Sequence, residues 1–370
     1  MKKTLLEKKL KVLHVRSTIG MYGAEQVVLN VLPVLNNSCE ASLLTLESDQ
    51  EESSTLRKLL ANLGVTTYSY EPKGRIDVKV IEKIKALVLT LGIDVIHTHD
   101  YKSLFYINNN ANNLNIPIIH HIHGALGNTL SERIYGLVER WMMRKVSKIL
   151  TVSLEQKFNL ESSYFSYPVI TQVNNGTAVH SLANNKQDSE SLHLIMVARF
   201  TEEKNHVFAV ELIEKCKKND IPVRLTLLGD GPLKGEIEKV IHSKKLEGII
   251  NLVGFTHNVQ EWLDQSDILL ITSRTEGMPM NMLEAMEREL PILSTGVGEI
   301  PSLIEAGKCG HIYSNVDELF SLIADKYADK QYWKMLGSSG RSYIKSNLSV
   351  DSQSEKLQSE YKEVLQDYYA

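Results

Sequence analysis

Cysteine is scarce in this chain: Cys39, Cys216 and Cys309 are the three among 370 residues. They lie far apart, match neither a metal-ligand spacing nor a disulfide framework, and suit a reducing cytoplasm. Long apolar runs are missing as well, and nothing approaches the roughly 20 consecutive residues of a membrane-spanning helix. The opening stretch Met1–Lys9 is basic but has no apolar centre long enough for a signal peptide. Any membrane work is therefore expected from the surface. Charge of one sign is not in excess: 41 Lys and Arg against 45 Asp and Glu leave a net −4, so no nucleic-acid partner is expected. What remains, 43% hydrophobic and 23% charged, is the composition of an ordinary soluble globular protein. At this length two domains are expected rather than one core.

Strand-like and helix-like segments alternate throughout, which argues for parallel sheets wrapped by helices, an α/β fold. Strands are expected at Leu10–His14, Ala41–Leu46, Asp94–His97, Ile116–Ile122 and Lys148–Val152, with a turn over Val169–Ala178 closing this half. The polar stretch Val179–Ser191, centred on Asn184–Asp188, is expected as a linker. A fresh series then starts at Leu192–Val197 and continues at Val223–Leu228, Ile250–Val253, Ile268–Ile271 and Pro291–Ser294. The expected domains are 1–178 and 192–350, with a helix over 351–370 returning to the first. Ligands of doubly wound sheets bind outside the carboxyl ends of the strands, so two such halves are expected to face each other across a cleft.

The densest chemistry lies in Thr275-Glu276-Gly277-Met278-Pro279-Met280-Asn281-Met282-Leu283-Glu284-Ala285. It follows an apolar, buried-strand pattern at Ile268–Ile271. A Gly-x-Pro turn separates two carboxylates, and Pro is tolerated at or just before a helix's first turn. The expected helix starts at Glu284 and Ala285 and runs to about Glu289. Free amides from Met280 through Leu283 would then offer an anion site, beside carboxylates able to accept from sugar hydroxyls. That combination suits a nucleotide sugar.

Glu276 and Glu284 match the E-x7-E signature of the retaining glycosyltransferases of family 4, which have the GT-B fold of two Rossmann-like domains. Further pieces fall in the family's order. Met196–Phe200 followed by Lys204-Asn205 resembles its G-R-L…K-N/G element, and Leu227–Pro232 its V-G-D-G-P turn. Leu252–Phe255 is similar to its F-x-G strand, and Val297–Pro301 to its G-G-x-P-E loop. The loop Ser17–Glu25 resembles its G-G-x-E loop, with Tyr22 in place of the first glycine. The resemblance covers nearly the whole chain and is strongest in the second half.

It implies a hexosyl- or N-acetylhexosaminyltransferase using a nucleoside diphosphate sugar, UDP-linked rather than GDP-linked. Glu284 would bind the ribose hydroxyls and Glu276 those of the transferred sugar, with Gly277, Met280, Asn281, Met282 and Leu283 beside them. Gly229 and Phe255 would line the donor site, Phe255 near the base, and Gly23 would let the backbone approach donor phosphates or sugar. Arg199 and Lys204 would stabilise the leaving diphosphate. The sequence has no Asp-x-Asp motif, so these cations are expected to replace a metal, and no cofactor is expected. His123 would reach the transferred sugar near the reacting centre, while His99, Asp100 and Tyr22 would line the acceptor side. The acceptor implied is a lipid-linked or surface-polysaccharide intermediate at the inner face of a bacterial membrane.

Five of the twelve histidines lie between His97 and His123. Alternate residues of a strand share a face, so His97 could converge with His99, and His121 with His123. The two pairs end different strands and no motif orders them, so zinc is not expected. For His97, His120 and His121, polar strand ends facing water remain an equal alternative. The amphipathic stretch Glu132–Lys148 carries five cations and Trp141. It can either meet anionic lipid through 133–148, as in many relatives, or pack its Ile, Leu, Val and Met face on the sheet, which Gly136 favours. Two other functions stay open: a nucleotide-sugar 2-epimerase of the same plan, and an inactive nucleotide-sugar-binding subunit.

Overall fold

The computed structural model describes residues 9–18, 20–47, 54–74, 76–123, 130–182, 190–256 and 258–370, the side chains of 110–113 and 130–134 excepted. The basic opening through Lys8, Ile19, Gly124 and the linker centre Asn184–Asp188 lie outside the described residues. The chain divides into two compact units, one of residues 1–176 with 350–370 and one of 177–349.

The first unit alternates β1 (Lys11–Thr18), α1 (Gly23–Leu35), β2 (Glu40–Glu47), α2 (Thr55–Asn62), β3 (Thr66–Tyr70), α3 (Val78–Leu91), β4 (Val95–Thr98), α4 (Tyr101–Leu114), β5 (Ile118–Ile122), α5 (Leu130–Met143), β6 (Lys148–Thr151), α6 (Leu154–Glu161) and β7 (Ile170–Gln172). Its seven strands are parallel in the order β3-β2-β1-β4-β5-β6-β7. Local chemistry sets the helix ends: the Asp77 carboxylate accepts from the Lys79 and Val80 amides to open α3, and Gly92 closes it at φ +62.

The second unit runs β8 (Leu192–Val197), α7 (His206–Lys218), β9 (Val223–Leu228), α8 (Lys234–Ser243), β10 (Ile250–Gly254), α9 (Val259–Asp264), β11 (Ile268–Ile271), α10 (Met280–Glu287), β12 (Ile292–Thr295), α11 (Ile300–Gly307), β13 (Gly310–Tyr313), α12 (Val316–Lys326) and α13 (Lys330–Asn347). Its parallel sheet is ordered β10-β9-β8-β11-β12-β13. Each sheet reverses direction once, between β1 and β4 and between β8 and β11, which are the positions where doubly wound folds bind ligands.

The last helix, α14 (Val350–Tyr368), returns to the first unit, where its Leu357, Tyr361 and Val364 join α1 and β1 in one core. A second core on the opposite face of that sheet is built by α3, α4 and the other side of β1. Residues 169–178, expected as a turn, carry β7 and a bridge from Thr177 to Ser349. β3 and β13 were not expected from the sequence either. β3, β7 and β13 are all edge strands, and a strand with one free edge and a part-exposed face need not carry the continuous apolar run of a central parallel strand.

Buried charge fixes the returning helix. Lys148 of β6 donates to Glu360 of α14 at 2.7 Å, with side chains 1% and 2% exposed, and Glu363 and Lys356 extend the network. Breaking one partner of a buried pair strands the other charge. Lys148→Met is expected to destabilise the first unit by about 3–5 kcal/mol, and Lys148→Met with Glu360→Leu to recover most of it. Native-state hydrogen exchange at β6 and α14 amides reads both; equal protection in Lys148→Met and the parent chain would refute the assignment.

Candidate functional site

At the reversal of the second sheet, two loops leave neighbouring strands. The loop after β8 carries Arg199, a single 3-10 turn over Glu202–Lys204, and Asn205, which starts α7 in the left-handed conformation at φ +53. The loop after β11 carries Arg274 through Pro279. The two are laced together: Thr272 Oγ1 donates to Lys204 O at 2.7 Å, and the Arg274 amide donates to Glu203 O at 2.8 Å. Lys204 Nζ then reaches Glu276 Oε1 at 2.5 Å, both side chains largely buried. Arg199 is exposed and pairs with Glu203 at 3.4 Å, as a screened surface pair.

α10 begins at Met280 and ends at Glu287, which corrects the expected start at Glu284 and the expected end near Glu289. Pro279 is its N-cap residue in extended conformation, and Asn281 Nδ2 donates to Val197 O at 2.7 Å, tying the first turn to the end of β8. Met280, Asn281, Met282 and Leu283 are thus the first-turn residues, and their amides lie at the positive end of the helix dipole. Glu284 sits one turn in, so pairing with the dipole does not account for it. Among the described residues its carboxylate makes no hydrogen bond or ion pair. Burial pushes that carboxyl up to about 7, Glu287 adding to the rise and Arg288 opposing it.

Glycines hold this loop in place. Gly298 sits at φ +58, and a Cβ there would come within 2.4 Å of Glu276 O and 2.5 Å of Gly277 O, while the Glu299 amide donates to Gly277 O at 2.9 Å. Gly229, at φ +136, leaves no room for a Cβ against Ala198 O. Its amide donates to Gly254 O, which places Phe255, 53% exposed, at the rim of the same edge. Phe200 is fully buried and stacks on His206 with centroids 4.1 Å apart. The structure therefore gathers Arg199, Lys204, Gly229, Phe255, Glu276, Gly277, Met280–Leu283 and Glu284 at the carboxyl edge of one sheet.

In the first unit the corresponding edge carries Tyr22, Gly23, His99, Asp100 and His123. Asp100 caps α4 and accepts from Ser17 N at 2.8 Å and Ser17 Oγ at 2.7 Å, and Arg16 joins it to Glu25. His99 is 4% exposed. Two of the three expected acceptor-side residues, His99 and Asp100, are thus engaged inside the unit, because the reversal between β1 and β4 is bridged by their own bonds. Tyr22 is exposed at the N-cap of α1, its amide donating to Glu25 Oε2. A Cβ on Gly23 would meet nothing within 4 Å, so the fold itself makes no demand for glycine there.

His97, His120 and His121 do not face water: they are 0%, 0% and 1% exposed, since β4 and β5 are central strands covered on both faces. His120 turns to one face, where Thr98 Oγ1 lies 2.9 Å from its Nδ1 and Glu139 lies 3.4 Å from its Nε2. On the other face His14 of β1, opposite His97 in register, joins His97, His99, His121 and His123 in a stacked array. His14 escaped the sequence reading because pairing of β1 with β4 is not legible from spacing. Nitrogens of His14, His97 and His99, and of His99, His121 and His123, lie within 4.8 Å of one another.

The amphipathic helix is split rather than wholly packed. Met142 and Met143 are buried, whereas Leu137 and Trp141 are 58% and 51% exposed, and Lys145 Nζ lies 4.3 Å from the Trp141 ring centroid. Among the described side chains its apolar face is therefore only partly used by the core, short of the packing on the sheet that the sequence favoured over lipid contact. No described helix is long and apolar enough to cross a membrane.

Comparison with known proteins places these features in context. The profile of the family described as Glycosyltransferase Family 4 matches residues 21–179, and that of Glycosyl transferases group 1 matches residues 180–342. The putative colanic acid biosynthesis glycosyltransferase WcaL of Salmonella typhimurium is 36% identical over 134 residues, 34% of this chain and 33% of that protein. The match thus spans about a third of that relative's length. The putative glycosyltransferase EpsF of Bacillus subtilis is 25% identical over 310 residues, 78% of this chain and 80% of that protein. Among solved structures, HepE of Anabaena in complex with UDP has the same fold, with a TM-score of 0.80 at 15% identity over 96% of this chain and 100% of that one.

Proposed function

We propose, for a chain that belongs to the group 1, family 4 glycosyltransferases, that it moves a hexose or N-acetylhexosamine from a UDP-linked sugar to a lipid-linked or surface-polysaccharide acceptor. The observation that carries this reading is the contact of Lys204 with Glu276 across the reversal of the second sheet, beside the N-terminus of α10. A cation, first-turn amides and two carboxylates at one edge suit a diphosphate flanked by sugar hydroxyls. The UDP bound by the Anabaena fold relative and the polysaccharide context of the WcaL name support the choice of donor and acceptor class.

In the proposed reaction the bond from the anomeric carbon to the β-phosphate oxygen breaks, and the acceptor oxygen bonds to that carbon on the same face. The acceptor's proton passes to the departing β-phosphate oxygen, so configuration is retained. Arg199 and Lys204 stabilise the charge that develops on the diphosphate, the role a divalent metal would otherwise fill. Glu276 and Glu284 orient the sugar and ribose, and His123 stands beside the transferred sugar. On substrate binding Lys204 shares its three donors between Glu276 and the phosphate.

Acceptor-free cleavage of a panel of nucleotide sugars tests this reading. One donor is expected to release its nucleotide with excess chelator present, and Glu276→Ala and Arg199→Ala to lower that rate by about 100-fold or more. A strict requirement for Mg²⁺ or Mn²⁺ would refute the metal-free mechanism. Conversion of the donor into an epimer would point instead to the isomerase.

The raised carboxyl of Glu284 gives a pH dependence with a defined sign. Ribose hydroxyls donate to the ionised form, so donor binding lowers its pKa and releases a proton. Below about pH 7 the donor competes with that proton, and its Kd is expected to weaken by about tenfold between pH 8 and pH 6. Glu284→Gln should flatten the profile. Calorimetry in two buffers of different ionisation enthalpy detects the released proton; none at pH 7 would refute the assignment.

The exposed Leu137 and Trp141, with Arg140, Arg144 and Lys145 on the same stretch, suit an anionic lipid surface. Co-sedimentation is expected with phosphatidylglycerol vesicles and not with phosphatidylcholine ones. It should fall by about tenfold in Leu137→Ser/Trp141→Ser. Equal sedimentation with both vesicle types would count against the surface.

A further inference from the structure

Glu284 makes no hydrogen bond or ion pair among the described residues, although its own helix supplies a cation at the favoured spacing. Arg288 lies four residues on, and its amide donates to Glu284 O at 3.3 Å, so one helical turn joins the two. Side chains of a helix lean toward its N-terminus, and an acid four residues before a base is the better order for an ion pair. Arg288 is nevertheless turned elsewhere. Its Nη1 donates to Asp264 Oδ1 at 2.5 Å, and its Nε lies 3.8 Å from Glu287 Oε2. Both partners of the Arg288–Asp264 pair are largely buried, so water screens it little.

Of the two acids that face Arg288, Glu287 is already engaged. It accepts from Arg341 Nη1 at 3.0 Å and from the His180 amide at 2.8 Å. Asp264 is therefore the group that holds Arg288. It ends α9, where a carboxylate opposes the helix dipole, so α9 itself does not account for an acid there. Among the described residues, the elements around α10 supply Glu284 with no rival cation. β12 carries no titratable side chain, Arg341 is the one charged residue on the buried face of α13, and Lys204 is paired with Glu276.

We propose that Asp264 is a positioning residue: it holds Arg288 away from Glu284 and so keeps that carboxylate open to the ribose hydroxyls of the donor. The role toward the donor rests on the assignment of Glu284 to the ribose; the restraint on Arg288 does not. Without Asp264, Arg288 has one neighbouring carboxylate that is already shared and one that is unpaired. The unpaired one gains more from a charged donor. A guanidinium on Glu284 would hold its carboxyl ionised to lower pH, and a ribose would then have to displace that guanidinium.

Carbon NMR titration of the full chain with carboxyl-labelled glutamate reads the restraint without any donor, the Glu284 signal being identified by its loss in Glu284→Gln. Asp264→Ala, checked for a cooperative melt, is expected to lower the Glu284 midpoint from about 7 by about one unit or more. Adding Arg288→Met should bring it back. An unchanged midpoint in Asp264→Ala would overturn the restraint. Calorimetry with UDP, GDP and ADP, taking the tightest binder, reads the role toward the donor. In Asp264→Ala its Kd at pH 8 is expected to rise about tenfold, with most of the difference between pH 8 and pH 6 lost. The double variant should recover both. A Kd raised alike at both pH values and not recovered by Arg288→Met would overturn the proposal in favour of a purely structural Asp264. A moved midpoint with unchanged Kd, or with none of the three bound, would leave the restraint and overturn the assignment of Glu284 to the ribose.

Discussion

A parallel sheet delivers the carboxyl ends of all its strands to one edge, and at a reversal of strand order the two flanking loops leave in opposite directions. That constraint shapes everything functional in this chain. The loops diverge, so a crevice opens between them, and the side chains that reach across it decide what it can hold. In the second unit Lys204 reaches Glu276; in the first, Ser17 and Arg16 reach Asp100. The two bridges differ in kind. Asp100 is occupied by four donors from its own unit, two from Ser17 and one each from the Lys102 and Ser103 amides. Lys204 contributes one of its three protons to Glu276, and among the described residues its ammonium makes no other hydrogen bond. The proposed function uses the second bridge and leaves the first to the fold.

Loop placement in the second unit is enforced by close backbone approach rather than by loop sequence alone. Gly298 lies against the carbonyls of Glu276 and Gly277, and Gly229 against that of Ala198. A side chain at either would push the β11 or β8 loop away from its neighbour. Asn281 adds a third restraint by tying α10 to the last carbonyl of β8. Three strands thus fix one helix N-terminus, which is what a site needs if its charges are to be in place before the ligand arrives.

Much of this was legible in the sequence because it is local. Glu276 and Glu284 share a turn and a helix, and their joint placement follows from Pro279 and eight residues of spacing. The start of α10 was misplaced by four residues because Met280-Asn281-Met282-Leu283 carries no capping side chain; its anchor is Val197 O, 84 positions away. Edge strands β3, β7 and β13 were missed since a sheet edge need not carry the continuous apolar run of a central strand. The histidines were read as two separate pairs. What unites them is His14 on β1 and Tyr361 on α14, the second separated from His97 by 264 positions. Periodicity reports which face a residue takes, not which strand will lie beside it.

The two carboxylates of the signature end in unlike surroundings, and that difference carries functional meaning. Glu276 is neutralised by a cation at 2.5 Å. Glu284, eight residues on, is half-buried, has Arg288 as an opposing influence and Glu287 as a raising one, and is pushed up to about 7 by desolvation. Its neighbour Glu287 is taken by Arg341 at 3.0 Å and by the His180 amide at 2.8 Å, so that charge is spent on the fold. Of three acids within twelve residues, one is matched to a cation, one to structure, and one to no hydrogen bond or ion pair among the described residues. A partly buried, unpaired carboxyl is costly unless something else supplies donors. Vicinal hydroxyls of a ribose provide two donors at once, and binding them relieves the cost that burial imposes. In the proposed donor complex, the unpaired acid would thus store part of the free energy that binding recovers.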